Sequence, residues 1–193
     1  MRLFEKIKDA VKEVGLMMSG MSCAPYVPSQ PEFVRKMLQV ARVGPDDVVY
    51  DLGCGDGRIL IMAVKEFGAE KAVGYELRED LYKSTLREIK RQNLKERINL
   101  INGDLSEADI SEATVITLYL SASGNERLKP KLAKEARPGT RVVSQDYRMN
   151  GWHASKSEIT GYMGDIFLYV IPDAFSSPNK KKSMASLNSQ HIR

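Results

Sequence analysis

Between residues 48 and 145, short apolar runs alternate with helix-patterned segments, and nothing else in the chain restricts its fold as strongly. "VVYDL", "KAVGYEL", "RINLING", "ATVITLYL" and "TRVVSQDY" read as buried strands; "RILIMAVKEF", "EDLYKSTLREIKRQN" and "NERLKPKLAKEA" read as helices. A short acidic connection links the third strand to the fourth. Such alternation predicts an α/β fold, a parallel sheet covered by helices on both faces. After Trp152 the pattern changes, because "SEITGYM" and "DIFLYVI" are joined by a Gly-Asp turn with no helix between them. That predicts an antiparallel hairpin closing one edge of the sheet. The 193 residues suffice for one domain with a sizeable core.

The flanks obey other rules. In residues 1–20, Leu3, Phe4, Ile7, Val11, Val14 and Met18 recur at helical spacing with Lys6, Lys8 and Lys12 between them. This predicts an amphipathic helix, packed on its own domain or lying on a membrane surface. Residues 21–44 hold an aperiodic stretch with Pro25, Tyr26, Pro28 and Pro31, then a helix with Phe33, Val34, Met37, Leu38 and Ala41 on one face. Ser29, followed three residues later by Glu32, has the spacing of a capping box at its start. The main domain is expected over 45–172, and a basic tail poor in apolar residues over 173–193.

Composition excludes several classes. No apolar run approaches a membrane span, and the start lacks the apolar core of a secretory signal. Cys23 and Cys54 make no metal-ligand spacing and no disulfide framework, so reduced thiols in a cytoplasmic protein are expected, with no metal. A net charge of +4 is compatible with an anionic partner without requiring one.

The chemistry concentrates in "DLGCGDG", where the first strand turns into its helix. A dinucleotide fingerprint wants a third glycine three residues after the second, and that position holds Arg58. A phosphate-binding P-loop wants Gly-Lys-Ser/Thr, which is absent. Glycines fall instead at Gly53, Gly55 and Gly57, preceded by Asp51, which favours a nucleoside ligand without phosphates.

This Asp-x-Gly-x-Gly-x-Gly pattern resembles the first motif of the class I, Rossmann-like S-adenosylmethionine methyltransferases. The resemblance extends over about residues 45–171 and implies a doubly wound, mostly parallel sheet ending in an antiparallel hairpin. It implies S-adenosyl-L-methionine as cofactor and assigns roles by position. Asp51 faces the methionine amino group, Glu76 accepts hydrogen bonds from the ribose hydroxyls, Asp104 meets the adenine amino group and Leu105 lies by the ring.

Adenine and cytosine amino methyltransferases resemble one another in an Asn/Asp-Pro-Pro-aromatic motif after the fourth strand. Here that place reads "LYLSASGN". Three other pieces, "PYVPS", "TLYLSASGNERLKPKL" and "PGTRVVSQDYRMNGWH", look like the small protein-lysine methyltransferases. That group includes broad-specificity archaeal enzymes and the mitochondrial ATP-synthase c-subunit enzyme. One departure is Ser121-Ala122, where many relatives carry Leu-Pro.

The resemblance implies a protein substrate presenting lysine, and a lysine acceptor fits the residues. Free lysine titrates near 10.4, so presenting its neutral amine at pH 7 costs roughly 4.6 kcal/mol. An apolar or aromatic channel beside the positive sulfonium lowers that cost by disfavouring the ammonium through desolvation and like charge, and aromatic faces can hold a partly methylated cation. Tyr26, Tyr119, Tyr147 and Trp152 are the candidate walls, with core packing a competing role for Tyr119 and Tyr147. Ser121 and Asp146 are candidate acceptors of a hydrogen bond from the amine, Asp146 alternatively a structural acid at the strand end. Two other acceptors stay open. RNA is suggested by the basic face of Lys83, Arg87, Lys90, Arg91 and Lys95 and by Lys180 to Lys182, and a small molecule is the other alternative acceptor. A non-catalytic binding module on the same scaffold is the remaining alternative.

Overall fold

The computed structural model describes residues 26–159 and 164–175. The expected N-terminal helix and all but the first three residues of the expected tail lie outside them. Those three, Asp173–Phe175, form a 3-10 turn with Ala174 buried, so the domain runs past 172.

Among the described residues seven strands form one sheet: β1 (Val48–Leu52), β2 (Lys71–Glu76), β3 (Ile98–Asn102), β4 (Val115–Leu118), β5 (Arg141–Gln145), β6 (Lys156–Ile159) and β7 (Asp165–Val170). Their order is β3-β2-β1-β4-β5-β7-β6. The first five strands are parallel, and β7 runs antiparallel to both β5 and β6, as the hairpin pattern required. Four helices cover the sheet: α1 (Pro31–Val40), α2 (Arg58–Lys65), α3 (Glu79–Arg91) and α4 (Ala122–Glu135).

Alternate strand residues point to opposite faces, which divides the core in two. Val49, Val115, Val143 and Ile166 join α1, α2 and Ile89 of α3 on one face. Tyr50, Ile116, Val142 and Tyr169 join Leu128 and Leu132 of α4 on the other. Each fully buried aliphatic or aromatic side chain contributes about 1.5–3 kcal/mol. α1 alone buries Phe33, Val34, Met37 and Leu38, which pins the segment before it to the sheet.

Two helix starts differ from the sequence expectation. The capping box at Ser29 and Glu32 does not form: Gln30 is the N-cap of α1 and makes no side-chain cap. The Ser29 hydroxyl donates instead to Oε1 of Gln145, 2.6 Å away at the end of β5. A tertiary acceptor has outcompeted the local one. α4 begins at Ala122 rather than at Asn125, because the Ser121 oxygen accepts from Gly124 N–H at 3.0 Å and supplies a cap. Pro130 therefore lies well inside the helix.

The amino ends of β1, β4 and β5 are locked by buried Asp47. Its carboxylate accepts from the Arg141 guanidinium, from Thr114 Oγ1 at 2.7 Å and from Gly44 N–H at 2.9 Å. At the carboxyl ends the strand order reverses between β1 and β4, and the diverging connections leave a crevice there. The rigid pole and the open pole are thus opposite ends of the same strands.

Close packing of β2 against α2 makes a test. A Cβ added to Gly74 would lie 2.4 Å from Cδ1 of fully buried Leu60 and 2.8 Å from Cys54 Sγ. Gly74→Ala should therefore destabilise the fold by about 1–3 kcal/mol, the overpacking outweighing the entropy gained by losing a glycine. Urea unfolding measures it.

Candidate active site

The glycine loop runs from β1 into α2 with Gly53, Gly55 and Gly57 all at positive φ. Gly57, at φ 74°, is the N-cap of α2, and its missing Cβ leaves room for Thr85 Cγ2, which would otherwise approach to 2.5 Å. The Thr85 hydroxyl donates to Gly55 C=O at 2.9 Å. Glu76, at the end of β2, holds the same loop from the other side. One carboxylate oxygen accepts from Gly55 N–H and the other from Arg78 N–H, both at 2.8 Å. Burial raises the Glu76 carboxyl above its ordinary value, and these two N–H groups act against the shift.

Asp51 is buried on β1 and lines the cleft with Gly53, Gly55 and Tyr119. Thr117 of β4 donates to its carboxylate at 2.8 Å. Burial outweighs that bond, and with Glu76 and Asp56 nearby it lifts the Asp51 carboxyl to about 7. The site therefore contains a carboxyl that changes charge near neutrality, a property common at functional sites.

Residues 26–30 lie across the glycine loop. The Tyr26 ring passes so near Gly55 that a Cβ there would meet Tyr26 Cε2 at 2.6 Å. Burial, then the Asp56 charge, pushes the Tyr26 phenol up to about 12, and it hydrogen-bonds both Asp56 and Arg58. Burial alone would raise Asp56, but hydrogen bonding and charge from Arg58 hold it below the ordinary carboxylate range. Nε of Arg58 donates to Asp56 at 2.8 Å, and its Nη1 donates to the carbonyl of Ser29.

On the far wall the Tyr119 phenol lies near Asp146; burial and then that carboxylate raise its pKa. Asp146 follows β5 with φ 63°, and its Oδ1 accepts from Asp165 N–H at 3.0 Å. The carboxylate occupies space that a side chain on Gly164 would take, since a Cβ there would lie 2.4 Å from Asp146 Oδ1.

The expected site residues divide by place. Asp51, Gly53, Gly55, Tyr26 and Tyr119 line one cleft; Glu76 reaches it through its hydrogen bond with Gly55, and Asp146 through its charge beside Tyr119. Leu105 approaches the Gly53 position from the 3-10 turn Leu105–Glu107, which Asp104 caps by accepting from Ser106 N–H at 2.8 Å. Ser121 caps α4. Tyr147 lies beyond β5 and is 42% exposed, so it is not a core residue.

Trp152 does not join the mouth. Its indole packs edge-on against Tyr169 at 5.8 Å and Phe175 at 4.9 Å, under the second core face. The aromatic neighbours decide its place, and they come from a strand and a turn later in the chain. Sequence reasoning missed Asp56, Arg58, Ser29, Thr117 and Gln145. The clues were a charged pair inside the glycine loop, a hydroxyl within the apolar run "VITL" and an amide at the buried end of β5.

Comparison with known proteins decides the family. The family described as the ANTKMT methyltransferase domain matches residues 51–156. The chain belongs to that methyltransferase family. A protein-lysine N-methyltransferase of Saccharolobus islandicus is 46% identical over 157 residues, covering 80% of this chain and 98% of that protein. An adenine nucleotide translocase lysine N-methyltransferase of Mus musculus is 30% identical over 66% of this chain, which spans 55% of that relative's length. Among solved structures, an RNA methyltransferase from Salinibacter ruber in complex with S-adenosyl-L-homocysteine has a TM-score of 0.73 and 41% identity. It covers 79% of this chain and 97% of its own.

In this methyltransferase the Asp51 carboxyl ties stability to pH. Its folded pKa of about 7 stands above the ordinary value of 3.8, so the folded state binds the extra proton between those limits. Its contribution to stability therefore falls as pH rises through that window. Asp51→Asn should stabilise the ligand-free protein at pH 8 by on the order of a few kcal/mol and change it little at pH 4.5. Thermal unfolding at the two pH values checks this.

Proposed function

We propose that this methyltransferase transfers the methyl group of S-adenosylmethionine to the ε-amino group of lysine side chains in proteins. The observation that carries the proposal is the meeting of Tyr26, Tyr119 and Asp146 at a cleft floored by Asp51 and the glycine loop. The extensive similarity to a protein-lysine N-methyltransferase supports it.

The residues present suit the cofactor. Positive-φ glycines leave the loop without side chains where a ligand must approach the backbone. The carboxylates of Asp51 and Glu76 match an ammonium and sugar hydroxyls, which are donors only or donors by choice. Asp51 would hold the amino group, Glu76 the ribose, and Asp104 with Leu105 the adenine. When bound, S-adenosylmethionine supplies a methyl group on positively charged sulfur, already activated toward a free lone pair.

The protein's part is to present that lone pair. Tyr26 and Tyr119 form an aromatic passage in which a charged ammonium is poorly solvated, favouring the neutral amine. The Asp146 charge beside Tyr119 keeps the phenol protonated, and the phenolic oxygen offers its lone pairs to an amine N–H. Alignment of amine and methyl then supplies much of the rate, with no nucleophilic side chain required.

RNA is the competing acceptor, since the similar Salinibacter ruber protein is an RNA methyltransferase. On α3, however, Lys83 is paired with Glu79 and Arg91 with Glu88, so part of the basic face is neutralised internally. No helix among the described residues is long and apolar enough to cross a membrane. We place the activity in the cytoplasm, where the buried free thiol of Cys54 stays reduced.

Radiolabelled methyl transfer into host-cell lysate should label proteins on lysine, identified by mass spectrometry; label confined to RNA or metabolites would refute the acceptor. Affinity for S-adenosylhomocysteine should rise roughly fivefold from pH 6 to pH 7 as Asp51 ionises to meet the ligand's ammonium. In Asp51→Asn that slope should vanish. Titration calorimetry reads both.

A further inference from the structure

Ser29 and Gln145 lie 116 positions apart in sequence and meet at 2.6 Å, both buried, at the point where the covering segment touches the end of β5. Each belongs to a different half of the site. Ser29 follows Tyr26 in the stretch laid over Gly55, and its carbonyl accepts from Arg58, which also binds Asp56 and Tyr26. Gln145 immediately precedes Asp146, the carboxylate beside Tyr119.

The turn that Gln145 begins is itself held tightly. Tyr147 N–H donates back to Gln145 C=O at 2.7 Å, which closes the bend at Asp146. Tyr147 C=O accepts from Ser144 Oγ at 2.7 Å and from Nδ2 of buried Asn125 at 3.0 Å. The Asp146 carboxylate is then fixed by Asp165 N–H. Apart from Ser29 these partners lie on β5, α4 and the β6–β7 hairpin side of the fold. Among the described residues the Ser29 hydroxyl makes a polar bridge from the covering segment to that turn.

We propose that the Ser29–Gln145 hydrogen bond is a latch, and that Gln145 is a positioning residue for methyl transfer. With the latch made, closure of residues 26–30 over the glycine loop and placement of the Tyr119–Asp146 pair occur together. One half of the latch stabilises the donor side, and the other half sets the acceptor side. A capping box would have used the Ser29 hydroxyl within its own helix; the fold directs it across the site. The proposal rests on the methyltransferase reading for its acceptor half, whereas its donor half is measurable without an acceptor.

The test compares Ser29→Ala, Gln145→Ala and the double variant with wild type, with Ser29→Thr as the variant that keeps the hydroxyl. S-adenosylhomocysteine is the binding probe, and methyl transfer to a lysine-bearing substrate protein gives kcat and KM. Each alanine variant should bind the probe roughly three- to tenfold more weakly, the range for loss of one buried neutral hydrogen bond. Each should also lower kcat. The double variant should be no worse than the worse single one, as a shared interaction requires, and Ser29→Thr should restore binding. A role confined to stability would lower the unfolding temperature while leaving probe affinity, kcat and KM of the folded enzyme unchanged. That result, or losses that simply add in the double variant, overturns the latch. If the wild type labels RNA and not lysine, the acceptor reading fails while the affinity pattern still decides the latch.

Discussion

The carboxylate of Glu76 is the constraint on which the site is built. It sits at the end of β2, and each of its oxygens accepts one backbone N–H, from Gly55 and from Arg78. A turn of left-handed glycines has few local hydrogen bonds of its own, so an acceptor from a neighbouring strand is needed to keep it in one shape. Gly53 and Cys54 N–H groups add to the restraint by donating to Tyr75 C=O. With the loop fixed, Tyr26 can close over Gly55 and Asp51 can face the same space from below.

The two ends of the sheet illustrate a division between stability and function. At the amino ends Asp47 satisfies its carboxylate with Arg141, Thr114 and Gly44, so its charge is matched by partners. At the carboxyl ends Asp51 has, among the described residues, a threonine hydroxyl and no basic partner in its hydrogen bonds, and its carboxyl is displaced to about 7. A buried carboxylate without a cation costs folding energy. In the proposed function that cost would be offset by the ligand's ammonium.

The proposed acceptor side rests on backbone geometry more than on any catalytic group. Asp146 is a non-glycine residue at positive φ, held by Asp165 N–H and given space by Gly164. The last strand pair is thus more than an edge closure. It supplies the N–H that orients the acid lying beside Tyr119. The antiparallel hairpin, the strongest departure from a dinucleotide-binding sheet, shapes the wall opposite the covering segment.

Much of this was legible in the chain itself. Alternating apolar runs and helices specify the parallel sheet, because burial on both faces demands that pattern, and the change after Trp152 marks the hairpin. The spacing of Asp51, Gly53, Gly55, Gly57 and Glu76 marks the glycine turn at the cleft, because a strand-to-helix turn is local and its glycines are conspicuous. Local signals misled at Ser29, where capping spacing pointed into α1, and at Trp152, where a loop position suggested the mouth. In each case the deciding partner, Gln145 for one and Tyr169 with Phe175 for the other, lies elsewhere in sequence. The amino-acid order by itself determined the sheet, its helices and the glycine turn, since these follow from periodicity and backbone freedom. Only the tertiary structure decided which polar groups meet across the cleft, because a buried hydrogen bond depends on which distant atoms the packing brings within 3 Å.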